Sequence, residues 1–387
     1  MGYPDLMNFF GHSFRGNSLP FFRQHSSQDF PRAFSDSRSV EPISLCSFLR
    51  RLSPCGPLLL LIPLVFAGCE KPPTANIPPV SLPQGTPFVL DQPPLPPPST
   101  KGEPYVGVLS GIFSRKDLLV VTGYQGTLLR KEGKVPWGRL PVPEGRDLYG
   151  VVASPGGDLW AYGDRGTLLR SSDEGAHWSS VVLSPAPRFL SSVFFVDART
   201  GYAAGAQGAL YRTTDGGGQW TSLSLPTREN LYAVLFLDAS HGLVAGWHRT
   251  LLRTSDGGTT WNPVAVPMQR VTRQKPSYNA LYAADGTIYL AGDHGLLFSS
   301  TDGGGSFSPI QTGNFRDFYG VCRTGSGTLA VAGEAGTLLL LSPNSGGGWT
   351  VRSPLGAFHG SDFLGLSCGA AHVRVVGTQN TILLPSH

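Results

Sequence analysis

Charged side chains are scarce in this chain. Of 387 residues only 14% are Asp, Glu, Lys or Arg, and the formal net charge at pH 7 is +4. Residues 1–68 carry six arginines against four acids, so the remainder stands at only +2. That balance excludes the basic footprint by which a nucleic-acid binder engages phosphates. Long apolar runs are equally rare: one, at residues 57–66, is too short to span a bilayer comfortably. No stretch after residue 100 has the apolar spacing of an amphipathic helix, which argues against a helical fold. Cysteine is sparse too. Of five, Cys46 and Cys55 fall before the end of the apolar run and Cys69 just after it, leaving Cys322 and Cys368.

Glycine and proline are abundant, with 50 and 33 copies. Both are costly in helices and suit many short strands joined by tight turns. Near the N-terminus, "LRRLSPCGPLLLLIPLVFAGCEKPP" joins the positive pair Arg50 and Arg51 to the apolar run and then to small residues. This order reads as a secretory signal over residues 45–69, preceded by residues 1–44 as a disordered or misassigned start extension. Residues 70–104 are so rich in proline that they read as an extended tether.

From residue 105 the chain repeats with a period of 40–46 residues, marked by a Gly-x-x-Gly turn before an apolar run: "GYQGTLLR", "GDRGTLLR", "GAQGALYR", "GWHRTLLR", "GDHGLLFS", "GEAGTLLL" and "GTQNTILL". Seven units of four short strands each predict an all-β, seven-bladed propeller over residues 105–387, with blades starting near 105, 148, 190, 231, 281, 318 and 363. The last unit stops at "TILLPSH", one strand short. A segment within about 78–92 is expected to supply that strand and close the ring, removing two open edges. Cys322 and Cys368 lie one residue out of step in adjacent repeats, so their side chains are expected on opposite sheet faces and unbridged.

A second motif recurs as "SSDEGAHW", "TTDGGGQW", "TSDGGTTW" and "STDGGGSF", with a weaker copy, "SPNSGGGW". It resembles the Asp-box, or BNR repeat. The expected role is structural: Asp173, Asp215, Asp256 and Asp302 accept backbone N–H groups across a hairpin, and Trp178, Trp220, Trp261 and Phe307 pack between sheets. Arg130, Arg170, Arg212 and Arg253, just ahead of these boxes, read as part of the scaffold. The whole repeat resembles the photosystem II assembly and stability factor family, which implies a protein-binding propeller. Ala67-Gly68-Cys69 resembles a bacterial lipobox, which implies lipidation at Cys69 and a membrane-tethered protein of the cell envelope; ordinary cleavage or a retained anchor is the alternative.

Function is expected at the other end of the ring from the Asp-boxes. The loops entering the inner strands carry Arg146, Arg188, Arg228, Arg270, Arg273 and Arg316, with His359 and Lys101 in the remaining two. Tyr149, Tyr232, Tyr282 and Tyr319 are expected at the start of those strands, and Trp247 and His248 stand on a turn whose second glycine is replaced by Arg249. An arc of cations around one channel mouth would focus a positive field on a protein partner, such as an acidic or C-terminal peptide of an envelope complex. No catalytic set, cofactor or metal is expected, since His248 and His294 lack a third ligand, and the chain is read as a monomer. The rival reading is a carbohydrate-active or glycan-binding protein using Asp164, Asp293 and Glu334 on the same face. Against a sialidase, no Phe/Tyr-Arg-Ile-Pro segment follows Cys69.

Overall fold

Runs such as "LLVVTG", "GYAAG" and "GLVAG" are apolar without alternation, which suits strands covered on both faces, and all three are wholly buried. The computed structural model describes residues 82, 88–91, 93, 107–267, 275–356 and 361–386. They form seven four-stranded antiparallel sheets, the blades of a propeller. Inner strands begin at Leu109, Leu148, Leu190, Leu231, Tyr278, Phe318 and Phe363. Each blade steps outwards through a second and a third strand to a short, mostly exposed outer strand.

The blades have no separate cores. Apolar side chains meet between neighbours, as where the Tyr202 ring of blade 3 stacks on Phe236 of blade 4 with centroids 3.7 Å apart. Each such fully buried side chain contributes about 1.5–3 kcal/mol. The seam between blades 7 and 1 is built in the same way, from Val376 and Ile382 against Leu109, Ile112, Val121 and Leu129. Blade 7 takes its inner, second and third strands from Phe363–Cys368, Val373–Gly377 and Thr381–Pro385, and its outer strand is Phe88–Leu90. In that pairing Phe88 faces Pro385 and Leu90 faces Leu383. Asp91 then reaches blade 1, binding Lys131 at 2.7 Å and the Trp137 indole at 3.2 Å.

The repeated Asp turn closes the hairpin between third and outer strands. In blade 4, Thr254 Oγ1 donates to Asp256 Oδ1 at 2.8 Å, and the same carboxylate oxygen accepts the Thr260 N–H at 2.8 Å. The Gly258 N–H donates to Thr254 Oγ1 at 2.9 Å, and the Trp261 indole donates to Gly258 O at 3.1 Å. Blades 2, 3 and 5 repeat the carboxylate contacts at Asp173, Asp215 and Asp302, and Asn344 of blade 6 keeps two of the N–H bonds. Gly217, at φ +90°, shows why glycine is needed there: a Cβ would stand 2.2 Å from the Trp160 ring. Trp178, Trp220, Trp261 and Phe307 each pack in the apolar cluster their blade shares with the one before. Arginines of the third strand tie these turns to the preceding blade, Arg130 Nε donating to Glu174 O at 3.0 Å and Arg253 Nε to Gly303 O at 2.9 Å.

One expectation fails. Cys322 and Cys368 form a disulfide with Cα atoms 5.9 Å apart. The opposite-face argument holds within one sheet, but these residues lie on two. Cys322 sits on the face of blade 6 that meets Phe363, Val373 and Val375 of blade 7, whereas Val321 beside it packs towards blade 5. Cys368 sits on the face of blade 7 that looks back. Residues one step out of phase in adjacent blades therefore face each other across the interface.

Candidate binding face at the mouth of the channel

Antiparallel strands alternate in direction, so the loops entering the inner strands share one end of the ring with the turns between second and third strands. The repeated Asp turns are at the other end, beside the hairpins of the inner and second strands, as the Gly216 N–H to Arg199 O bond at 2.8 Å shows. At the mouth, each second-to-third turn carries a residue in the left-handed region: Gln125, Arg165, Gln207, His248, His294, Ala335 and Gln379, with φ of 50–60°. Four of these residues donate their N–H to the side chain just ahead of the next inner strand. The pairs are Gln125 to Asp147 at 2.7 Å, Gln207 to Asn230 at 2.9 Å, His294 to Asp317 at 2.8 Å and Ala335 to Asp362 at 2.7 Å. Such bonds compensate backbone strain and lock adjacent blades together.

All seven inner strands have a β-bulge at their second residue. A bulge puts its extra residue out of register and re-aims it. The bulged residues are Ser110, Tyr149, Ser191, Tyr232, Asn279, Tyr319 and Leu364, so small polar residues alternate with tyrosines around the first six blades. The small ones clamp the next blade: Ser110 Oγ donates to Leu148 O at 2.6 Å, Ser191 Oγ to Leu231 O at 2.5 Å and Asn279 Nδ2 to Phe318 O at 2.9 Å. Tyr282 is not among them. It lies four residues into its strand and donates its hydroxyl to Arg323 O at 3.3 Å.

Carboxylates stand near the tyrosines of these strands. Burial raises the hydroxyl pKa values of Tyr149, Tyr232 and Tyr319 above the ordinary tyrosine value, and carboxylates raise them further: Asp164 and Asp147 for Tyr149, Asp293 and Glu229 for Tyr232, and Asp317, Asp362, Glu334 and Asp293 for Tyr319. Burial likewise raises the carboxyl pKa values of Asp147, Asp317 and Asp362.

The arginines stand on the loops that enter the inner strands. Arg146 pairs with Glu144 at 2.7 Å and donates to Arg165 O at 3.4 Å, and Arg316 donates to Ala335 O at 3.3 Å, each holding its own blade's turn. Arg188 and Arg228 are exposed and form no ion pair among the described residues. The acids beside the arginines are engaged elsewhere, Glu229 with His248 at 3.3 Å and Asp317 with His294. Trp247 is half-buried, stacked on His248 with ring centroids 4.0 Å apart. Arg249 takes the left-handed conformation of the glycine it replaces and donates to Val266 O at 2.9 Å. Phe315, next to Arg316, is 60% exposed. Arg270, Arg273, His359, Lys101 and Cys69 lie outside the described residues. The Asp and Asn residues ahead of the inner strands and the bulged Ser110, Ser191 and Asn279 were missed; the recurrence of Asp or Asn one residue before an inner strand was the available signal.

A family model described as photosynthesis system II assembly factor YCF48 matches residues 213–358, from the end of the third strand of blade 3 through blade 6. Among solved structures, "YCF48 bound to D1 peptide" is 16% identical with a TM-score of 0.61, over 80% of this chain and 97% of its own. YCF48 from Cyanidioschyzon merolae is 19% identical with a TM-score of 0.56, over 76% and 98%. Virginiamycin B lyase from Staphylococcus aureus is 12% identical with a TM-score of 0.62, over 78% and 99%. These identities speak for the fold alone, and the fold hosts both a peptide binder and an enzyme. No curated protein matches the chain.

Proposed function

We propose that this protein is a membrane-tethered, extracytoplasmic propeller that binds a protein partner at the channel mouth and assists assembly of an envelope complex. The observation that carries the reading is the placing on one face of exposed Phe315 with exposed Arg188 and Arg228, which form no ion pair among the described residues. Arginine and aromatic side chains are the residue types that dominate binding energy at protein interfaces. The solved YCF48 complex named for its D1 peptide and the family match over blades 3 to 6 support a peptide or protein as the ligand class. The disulfide between blades 6 and 7 supports an oxidising compartment. In this reading Cys69 is the lipid-bearing residue and the proline-rich segment holds the ring away from the bilayer.

The test is capture of partners by in-cell crosslinking, comparing the natural protein with Arg188→Ala/Arg228→Ala. Loss of the two guanidinium groups is expected to lower capture by about tenfold or more. Capture equal to that of the natural protein would overturn the reading.

A further inference from the structure

We propose that the seam between blades 7 and 1, at the Asp-turn end of the ring, holds a site for one carboxylate, built from Arg374, Ser114 and Ser367. It lies at the other end from the mouth and stands whether or not the mouth binds a partner.

The third residue before the turn glycine of each second strand faces the next blade. In blades 1 to 6 it is Val120, Trp160, Tyr202, Leu243, Tyr289 and Ala330, all apolar and buried between blades. In blade 7 it is Arg374. The inner-strand residues beside it differ in the same sense. At the seam of blades 6 and 7 the corresponding pair is Cys322 and Cys368, which are bridged. At the seam of blades 7 and 1 it is Ser367 and Ser114, whose hydroxyl oxygens lie 2.8 Å apart. This seam thus exchanges an apolar contact and a covalent link for three polar side chains.

A guanidinium has five N–H donors and no acceptor. Here Nη1 donates to Ser114 Oγ at 3.2 Å. Nε and Nη2 meet no acceptor among the described residues, Arg374 forms no ion pair there, and neither nitrogen is sealed from solvent. Burial lowers the pKa of the group, with no carboxylate to offset it. With Nη1 turned to the serine, the edge that remains is the Nε and Nη2 fork, which takes both oxygens of a carboxylate through parallel bonds. Its single charge matches a monoanion. Ser114 Oγ, accepting from Arg374, can donate to Ser367 Oγ, which leaves the Ser367 O–H without an acceptor among the described residues.

The approach is open. In blades 3 and 5 a glycine of the Asp turn sits on the facing wall, where a Cβ would come 2.2 Å from Trp160 and 2.8 Å from Leu243. Blade 1 has no such turn. A Cβ on Gly133 would meet nothing within 4 Å, and Val135 is 62% exposed, so these residues do not pack down on the wall behind them. Arg374 accordingly stays only half-buried.

The full chain is titrated at constant ionic strength with acetate, N-acetyl-glycine, Nα-acetyl-aspartate amide, inorganic phosphate and the neutral isostere acetamide, following the Arg374 Nε–H resonance by NMR and the affinity by calorimetry. At least one carboxylate probe is expected to shift that resonance saturably and to bind about tenfold or more tighter than acetamide. Preference for N-acetyl-glycine assigns a polypeptide C-terminus, preference for the aspartate probe an acidic side chain, and equal binding of all three a free acid. Arg374→Lys keeps the charge without the fork and is expected to weaken binding about tenfold, and Ser114→Ala to weaken it several-fold. Arg374→Leu, which places here the leucine of blade 4, is expected to remove it. Acetamide bound as well as the carboxylates, phosphate bound tighter than all of them, a carboxylate that leaves the Arg374 resonance unmoved, or binding unchanged in folded Arg374→Leu overturns the proposal. If Arg374→Leu does not fold, unchanged binding in Ser114→Ala does so instead.

Discussion

Two populations of aspartate respond to acid in opposite directions. Asp256 accepts N–H and O–H donors on its turn, which hold its carboxyl down to about 2, and Asp173, Asp215 and Asp302 are lowered by the same kinds of bond. A folded pKa below the unfolded one adds stability that is complete above the unfolded value and is lost as pH falls through the folded value. Asp317 and Asp362 are raised by burial, so their ionised forms weigh against folding at neutral pH, and protonation relieves this as pH falls through their raised values. The melting temperature is therefore expected to hold or rise slightly from neutral into mild acid, then fall steeply below about pH 4. Asp256→Ala should lower the plateau by a few degrees and blunt the acid fall; Asp317→Asn/Asp362→Asn should flatten the rise. Circular dichroism melts across pH read both effects. At this scale the sequence was only partly legible. Leu-Tyr-Ala occurs at 231–233 and 281–283, which invited an alignment of Tyr282 with Tyr232. The strand of blade 5 begins at Tyr278 and places Asn279 at the bulge, because that shift covers its apolar residues against both neighbouring blades.

Strands were easier to read, because glycine and proline punctuate them and each unit shows its apolar runs in the same order. The seven sheets follow that punctuation closely. Bulges leave no comparable mark: Ser, Tyr, Asn and Leu all occupy the bulged position, so the change of register is visible only in the pairing. The strand Phe88–Leu90 binds Thr381–Pro385 and is held at its end by Asp91 on Lys131 and Trp137. Deleting residues 70–95 exposes the edge of blade 7 and removes buried Phe88. The melting temperature is expected to fall by roughly 10 °C. An unchanged melting temperature would mean that the blade does not need this strand.

Among the described residues the apolar clusters of the propeller lie between neighbouring blades, so its stability depends on every interface holding at once. The bridge between Cys322 and Cys368 spans 46 residues and fastens blade 6 to blade 7. Cys322→Ser/Cys368→Ser is expected to cost about 2–4 kcal/mol in denaturant unfolding. Reductant should produce the same loss in the natural protein and none in the variant. Composition and period carried the propeller, whereas contacts between blades depend on which faces meet, and a single repeat does not contain that information.

The tyrosines at the mouth have a further consequence, which is one of parity. A two-step alternation fits an even circle, but a ring of seven forces either two like residues side by side or a third kind between them, and here Leu364 stands between Tyr319 and Ser110. The pseudo-sevenfold symmetry of the backbone is thereby cancelled in its lining. Of seven rotational settings that the scaffold offers a guest, the chemistry distinguishes one.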